Sequence, residues 1–183
     1  LYRLQDILRT RFRGDVMIAI AAVDLNWGIG YKGKLLISLP EDQRGVFRKY
    51  TAGHTVVYGR KTLETFKDCR LLPGRTNVIL TRNRSYVKEG AVILHSEGEL
   101  DTYITENPEG DSEIYLIGGE TMYNSLIGLC DEAVITYIHA GFTADAFFPN
   151  LDLIPEWSLI SEEDPVMSEK GVEFTVRHYK RNN

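Results

Sequence analysis

The sequence predicts an α/β domain built on a mostly parallel central sheet of about eight strands, flanked by about four helices, with an antiparallel hairpin at its C-terminal edge. Three observations predict it. Short runs rich in Val, Ile, Leu and Tyr recur along the chain with helix-length segments between them. Most of these runs are apolar at consecutive positions, as strands covered on both faces are. The last two runs have no helix-length segment between them, which suggests that they pair as a hairpin. With 183 residues, 43% of them hydrophobic and 26% charged, the chain suits one domain with a substantial core.

In order, the strand-like runs are MIAIAAVD (17–24), TVVY (55–58), NVILT (77–81), AVIL (91–94), EIYLI (113–117) and EAVITYI (132–138). Helices are expected over 40–50, 61–66, 97–105 and 119–127, between the runs they connect. Between the first strand and the first helix, Leu25 to Lys34 is dotted with Gly28, Gly30 and Gly33. It reads as a loop, either a plain connection or one able to cover a flat ligand. The closing runs are 157–162 and 171–180, the second alternating Val172, Phe174, Val176 and His178 against Glu173, Thr175, Arg177 and Tyr179. Residues 1–16 stand apart as an N-terminal extension to the domain of residues 17–183. They carry Arg3, Arg9, Arg11 and Arg13 beside Leu1, Leu4, Ile7, Leu8 and Phe12 at helical spacing, whereas Met17 opens the first strand. A transit peptide, an upstream extension and an appended remnant all fit that composition.

Charge and composition exclude several function classes. A formal net charge of −5 argues against a polyanion such as nucleic acid, whose binding needs clustered Lys and Arg. Cys69 and Cys130 are too few for a disulfide framework and read as reduced thiols of a cytoplasmic protein. No apolar run reaches the roughly 20 residues of a membrane-spanning helix. None of His54, His95, His139 and His178 is spaced with a second ligand, so no metal is expected.

In doubly wound sheets ligands bind beyond the carboxyl ends of the strands, and the segments there hold the candidate chemistry. Ser38-Leu39-Pro40-Glu41-Asp42 reads as a helix start with two carboxylates in its first turn, a position that also suits acids for helix-dipole reasons alone. Gly59-Arg60-Lys61-Thr62 joins a glycine, two cations and a hydroxyl to a helix start, a ready anion site. Leu72-Pro73-Gly74-Arg75 is a turn presenting an arginine, and Thr81-Arg82-Asn83-Arg84 adds cations at a strand end. Ile117-Gly118-Gly119-Glu120 allows very close backbone approach. The G-x-G-x-x-G fingerprint does not lead into a helix here, which disfavours an ordinary Rossmann dehydrogenase.

Taken in order, IAAVDLNWGIGYKGKLL, SLPEDQRGVF, GRKTLETF, LPGRTNVILTRN, YLIGGETMYN and TADAFFPN resemble the dihydrofolate reductase family along residues 17–183. The resemblance implies reduction of 7,8-dihydrofolate by NADPH, with hydride passing to pterin C6 and a proton to N5. It implies that Asp42 is the carboxylate of the pteridine pocket, with Glu41 its rival, and that Leu35 shields the reacting atoms. Ile20 and Ala22, through their backbones, and Thr136 would complete the pterin edge. Val46 or Phe47, with Phe66 and Leu72, would pack on the folate, and Arg75 would clamp the carboxylate of its glutamate tail. On the cofactor side, Arg60, Thr81 and Arg82 would receive the 2′-phosphate and Thr62 the pyrophosphate. Gly118 and Gly119 would admit the nicotinamide near Tyr123. Ala22, Ile29, Gly30, Gly59, Lys61, Leu80, Ile117, Glu120 and Thr121 would line the rest of that site.

The chain departs from the family pattern in places. Ile37 stands where many members carry a Trp ahead of Leu-Pro, and Leu36 replaces a common Pro. One extra residue near Gly45 suggests a bulge in the helix and leaves open whether Val46 or Phe47 faces the folate. The segment 66–70 is slightly long, which affects a rim loop. A monomeric cytoplasmic reductase, open to antifolate inhibitors, is the leading expectation. A reductase of a ribosylamino-pyrimidine and a silent NADPH- or antifolate-binding protein are the alternatives, the first disfavoured by Asp42 together with Arg75.

Overall fold

The computed structural model describes residues 16–106 and 113–182. The N-terminal extension, save Val16, lies outside the described residues. The strands are β1 (Met17–Val23), β2 (Gly28–Tyr31), β3 (Lys34–Leu35), β4 (Thr55–Gly59), β5 (Thr76–Leu80), β6 (Val92–Leu94), β7 (Ile114–Gly118), β8 (Glu132–Ile138), β9 (Ala146–Phe147), β10 (Trp157–Glu162), β11 (Val166–Met167) and β12 (Glu173–Arg181). The helices are α1 (40–51), α2 (Arg60–Leu63), α3 (Glu97–Glu106) and α4 (Glu120–Leu126).

The main sheet runs β10-β12-β8-β1-β7-β4-β5-β6, with β11 added beside β12. From β8 to β6 all pairs are parallel, and β12 is antiparallel to β8, β10 and β11. The expected edge hairpin is therefore present, and a short extra strand sits inside it. Parallel strands need covering on both faces, and the side chains of β1 show how this is met. Met17, Ala19 and Val23 pack on one face with Leu100 and Ile104 of α3 and Tyr123 and Leu126 of α4. Ile18 and Ile20 point the other way, into a cluster with Leu39, Val56, Tyr58, Leu63 and Ile117, against which Val46 and Phe47 of α1 pack.

Two features stand out against the sequence expectation, the first as a departure from it and the second as its concrete form. The segment 25–35 is not a plain loop: β2 and β3 form a hairpin, and β9 joins them as the third strand of a separate antiparallel sheet. Lys32 and Gly33 make its two-residue turn, with φ of 49° and 72°, the left-handed pair that suits a tight hairpin. A Cβ on Gly28 would lie 2.7 Å from the Ala144 Cβ, so the glycine lets the two segments pack in contact. The partner strand β9 lies over a hundred residues downstream, beyond the reach of a local reading.

The second feature is in α1. Asp42–Phe47 is wound as a π-helical turn, with the Arg48 amide donating to the Gln43 carbonyl, before Arg48–Thr51 resumes α-helical geometry. A π-turn absorbs one surplus residue without unwinding the helix on either side. The bulge expected near Gly45 thus takes this form.

Candidate active site

The first turn of α1 carries two acids, and they face different ways. Asp42 is half-buried, and its carboxylate accepts a hydrogen bond from the hydroxyl of Thr136, a fully buried residue of β8. Burial pushes the Asp42 carboxyl above the usual range, and the Thr136 hydrogen bond opposes the rise. Glu41 turns to the β11–β12 connection and accepts from the Glu169 amide at 2.7 Å. That amide and the backbone N–H of Glu41 itself lower its pKa, with Arg44 and Lys170 contributing less. Asp42, and not its neighbour, is the acid directed at the sheet.

The wall around Asp42 is apolar. Ala22, Ile37, Val46, Phe47, Phe66 and Leu72 all pack against the cluster that contains Ile20, Leu39 and Ile117. Val46 and Phe47, four and five residues after Asp42 within the π-turn, both pack on this wall. Ile37, at the place of the common Trp, contributes only hydrocarbon. Leu35, at the end of β3, is 58% exposed and encloses nothing in this arrangement.

Arg75 lies at the rim. Its Nε and Nη2 donate to the Thr51 hydroxyl oxygen at 3.2 and 3.0 Å, and Nη1 donates to the Pro73 carbonyl at 2.7 Å. Burial lowers its pKa, and the nearby charge of Arg48 lowers it further. Arg48 was not singled out in the sequence, where it is one exposed cation among several on α1; its proximity to Arg75 makes a doubly cationic rim.

The carboxyl ends of β4 and β7 and the helices that follow them meet in close contact. Gly118 and Gly119 are joined by a cis peptide, with Gly118 at φ +123°. A Cβ on Gly118 would lie 3.3 Å from the Tyr123 ring, and one on Gly119 would lie 3.3 Å from Thr62 Oγ1. Gly59 is similarly close to Met122. The Tyr123 hydroxyl donates to the Ile20 carbonyl at 2.8 Å, which joins α4 to β1. Gly59 and Leu80 are register partners, so Arg60 and Thr81 emerge side by side.

Not every expected residue offers its side chain here. Arg60 is ion-paired with Glu64 one turn on, and Leu80 and Ile117 are buried in the core, leaving backbone alone at those points. Glu120 accepts from the Phe147 amide at 2.9 Å and so ties α4 to β9. Lys61, Arg82 and Thr121 are exposed, and Ile29 packs against the core beneath the hairpin. His95, left aside in the sequence, brings Nδ1 within 2.8 Å of the Thr81 carbonyl.

The hairpin of β2 and β3 is anchored by acids that sequence reasoning missed. Asp24 is fully buried; its Oδ1 accepts from the amides of Asn26 and Gly28 at 2.9 and 2.8 Å, and its Oδ2 from Phe142 at 2.8 Å. Asp145 accepts from the Lys32 amide at 2.9 Å, and its own amide donates to Gly30 at 3.0 Å. In the sequence both are isolated acids; their partners appear only once the chain is folded. Among the described residues no group of His, Cys, Asp and Glu is placed to hold a metal ion.

The family model for dihydrofolate reductase matches residues 16–181. The chain is 33% identical over 159 residues to the dihydrofolate reductase of Staphylococcus aureus (strain Mu50), covering 87% of this chain and 91% of that one. It is 32% identical over 165 residues to the Bacillus subtilis (strain 168) protein of the same name, covering 90% and 94%. The fold is similar to that of the Enterococcus faecalis dihydrofolate reductase complexed with NADP(H) and RAB-propyl, with a TM-score of 0.81 at 35% identity over 92% of this chain and 97% of that one.

Proposed function

Because the chain belongs to the dihydrofolate reductase family, and thereby reduces 7,8-dihydrofolate with NADPH, we propose that Asp42 is the side chain around which its reaction is arranged. The observation that carries this reading is the Asp42–Thr136 pair, a half-buried carboxylate in an apolar wall. Such a carboxylate accepts two parallel N–H bonds from the amidine-like edge of a pterin, and its charge favours a proton at N5. The backbones of Ile20 and Ala22 and the Thr136 hydroxyl complete that edge. Val46, Phe47, Phe66 and Leu72 hold the flat body of the substrate, and Arg75 takes the carboxylate of its tail through a bidentate fork. A flat diaminopyrimidine antifolate would make the same pairing with Asp42.

The cofactor supplies the hydride, from nicotinamide C4 to pterin C6, and the proton reaching N5 balances the reduction. The chain fits it: the bare backbone at Gly118 and Gly119 leaves room that a side chain would fill. Gly59, Lys61, Thr62, Glu120 and Thr121 lie along the pyrophosphate path, with Ala22, Leu80, Ile117 and Tyr123 backing it. Arg60, Thr81 and Arg82 receive the 2′-phosphate, Arg60 after leaving Glu64. Ile29 and Gly30 of the β2–β3 hairpin keep water from the reacting atoms, which strengthens the field at N5, and Leu35 would join them only by moving inward from its exposed position. Residues 17–183 carry this reaction as a monomer in the cytoplasm.

The test is loss of NADPH absorbance on mixing the protein with 7,8-dihydrofolate, with Asp42→Asn run beside it. Rapid oxidation by the parent and a loss of several orders of magnitude in the variant are expected. Equal rates in the two proteins would remove Asp42 from the centre of the reaction.

A further inference from the structure

The turn that presents Arg75 is organised by a buried side chain that meets the pterin wall only through the backbone of Leu72. Asn77, in β5, is 3% exposed. Its Oδ1 accepts from the Leu72 amide at 3.0 Å and from the Tyr58 hydroxyl at 2.8 Å. Its Nδ2 donates to the carbonyls of Leu72 at 3.0 Å and of Arg75 at 3.1 Å. An amide side chain has two acceptor and two donor sites, and here all of them are used. Three of these bonds go to the two ends of the Leu72–Arg75 turn; the fourth anchors Asn77 to Tyr58, a fully buried residue of the neighbouring strand β4.

The middle of the turn is held from outside, the Gly74 carbonyl accepting from the Gly53 amide at 2.8 Å, whereas its two ends are joined through Asn77. Gly74 sits at φ +68°, and Pro73 has no amide to donate. A fully satisfied buried amide is rigid, since any displacement leaves a polar group unpaired away from water. The Arg75 guanidinium is then set by contacts at both ends, the Pro73 carbonyl within the turn and Thr51 on α1.

We propose that Asn77 is a positioning residue for substrate specificity: by bridging Leu72 and Arg75 it aims the Arg75 fork at the carboxylate of the glutamate tail. It thereby acts on recognition of the tail; the reacting edge of the ring belongs to Asp42 and Thr136, to which Asn77 makes no hydrogen bond. The inference rests on the role proposed for Arg75. Aspartate is nearly isosteric at this position but has no Nδ2 to donate, and it would turn lone pairs toward the Leu72 and Arg75 carbonyls.

The experiment compares KM and kcat for 7,8-dihydrofolate and for 6-methyl-7,8-dihydropterin, which lacks the tail, in the parent, Asn77→Ala, Asn77→Asp, Arg75→Ala and the Asn77→Ala/Arg75→Ala pair. Asn77→Ala and Asn77→Asp should raise KM for dihydrofolate by about tenfold, the equivalent of one well-placed hydrogen bond, with kcat and the KM for the methylpterin unchanged. The double variant should be no worse than Arg75→Ala. Equal weakening toward both substrates, or no rise for dihydrofolate, would overturn the inference. If Arg75→Ala keeps the preference for dihydrofolate, the role of Arg75 fails and the inference falls with it. If Arg75→Ala loses that preference while the Asn77 variants keep it, the inference alone fails. Should both Asn77 variants not fold, Tyr58→Phe removes one of the four bonds; it should give a smaller rise confined to dihydrofolate, and a rise shared by both substrates would count against the proposal.

Discussion

The Thr136 hydroxyl of β8 donates to the Asp42 carboxylate of α1, and it is the side-chain partner set against the burial that raises the pKa of that acid. An acid whose folded pKa lies above its unfolded value binds more protons folded than unfolded between the two. Its contribution to stability is therefore full below the unfolded pKa and is lost as pH rises through the folded one. At neutral pH the charge of Asp42 costs stability. Asp42→Asn is expected to be more stable than the parent at pH 7 and to lose that advantage in acid. Denaturant midpoints measured across pH check it, and a variant less stable at neutrality would contradict it.

Thr136→Val keeps the shape of the side chain and removes the donor. The opposing influence on Asp42 disappears, so its pKa should climb further. If Asp42 favours a proton at N5, the fall of hydride transfer with rising pH should move to higher pH in the variant, with about 1 kcal/mol of stability lost. Single-turnover rates across pH provide the measurement, and an unmoved profile would break the link between the hydroxyl and the proton.

How far the sequence carried these conclusions depended on whether a signal was local. The core strands were legible to within a residue or so because Val, Ile and Leu repeat at consecutive positions over runs such as 132–138. The β2–β3 hairpin was not, since its third strand, Ala146–Phe147, is two residues long and remote in the chain. Glu41 and Asp42 could not be told apart because they are adjacent, and only their partners, Glu169 and Thr136, separate them. The Gly118–Gly119 pair was visible, but the Tyr123 hydroxyl reaching Ile20 and the Asp24 anchor depend on packing that no local pattern encodes.

Glu41 gives the opposite pH signature to Asp42. Its folded pKa is lowered, chiefly by the Glu169 amide, so its stabilising contribution is present above the unfolded pKa and fades as pH falls through the folded one. Glu41→Gln should lose stability relative to the parent near neutrality, the difference closing in acid, while kcat stays close to that of the parent. A loss of hydride transfer comparable with that of Asp42→Asn would reverse the assignment of the two acids.

Gly118→Ala tests the close approach at the end of β7. The added Cβ would sit 3.3 Å from the Tyr123 ring in a backbone conformation, φ +123°, that L-residues rarely adopt. Tyr123 is buried and held by Ile20, so it cannot swing away without breaking that bond. A loss of about 2 kcal/mol or more in stability and a sharp weakening of NADPH binding are expected. Calorimetric titration with NADPH measures the second effect, and unaltered affinity would mean that the cofactor does not lie against this turn.

Gly45 separates two explanations of the π-turn in α1. If the turn exists because the chain carries one residue too many between Asp42 and Thr51, glycine itself is dispensable there. No atom lies within 4 Å of an added Cβ, and the residue does not hold a left-handed φ. Gly45→Ala should then stabilise the protein by about 0.5–1 kcal/mol, through higher helix propensity and a less flexible unfolded chain. Deleting Gly45 should let α1 run as an unbroken α-helix. Val46 and Phe47 would follow Asp42 at the third and fourth positions, still on its inner face. Both variants should keep dihydrofolate binding within a few-fold of the parent. A destabilised Gly45→Ala would show instead that the π-turn needs the freedom of glycine; a deletion that folds but no longer binds dihydrofolate would show that the wider turn itself shapes the pocket.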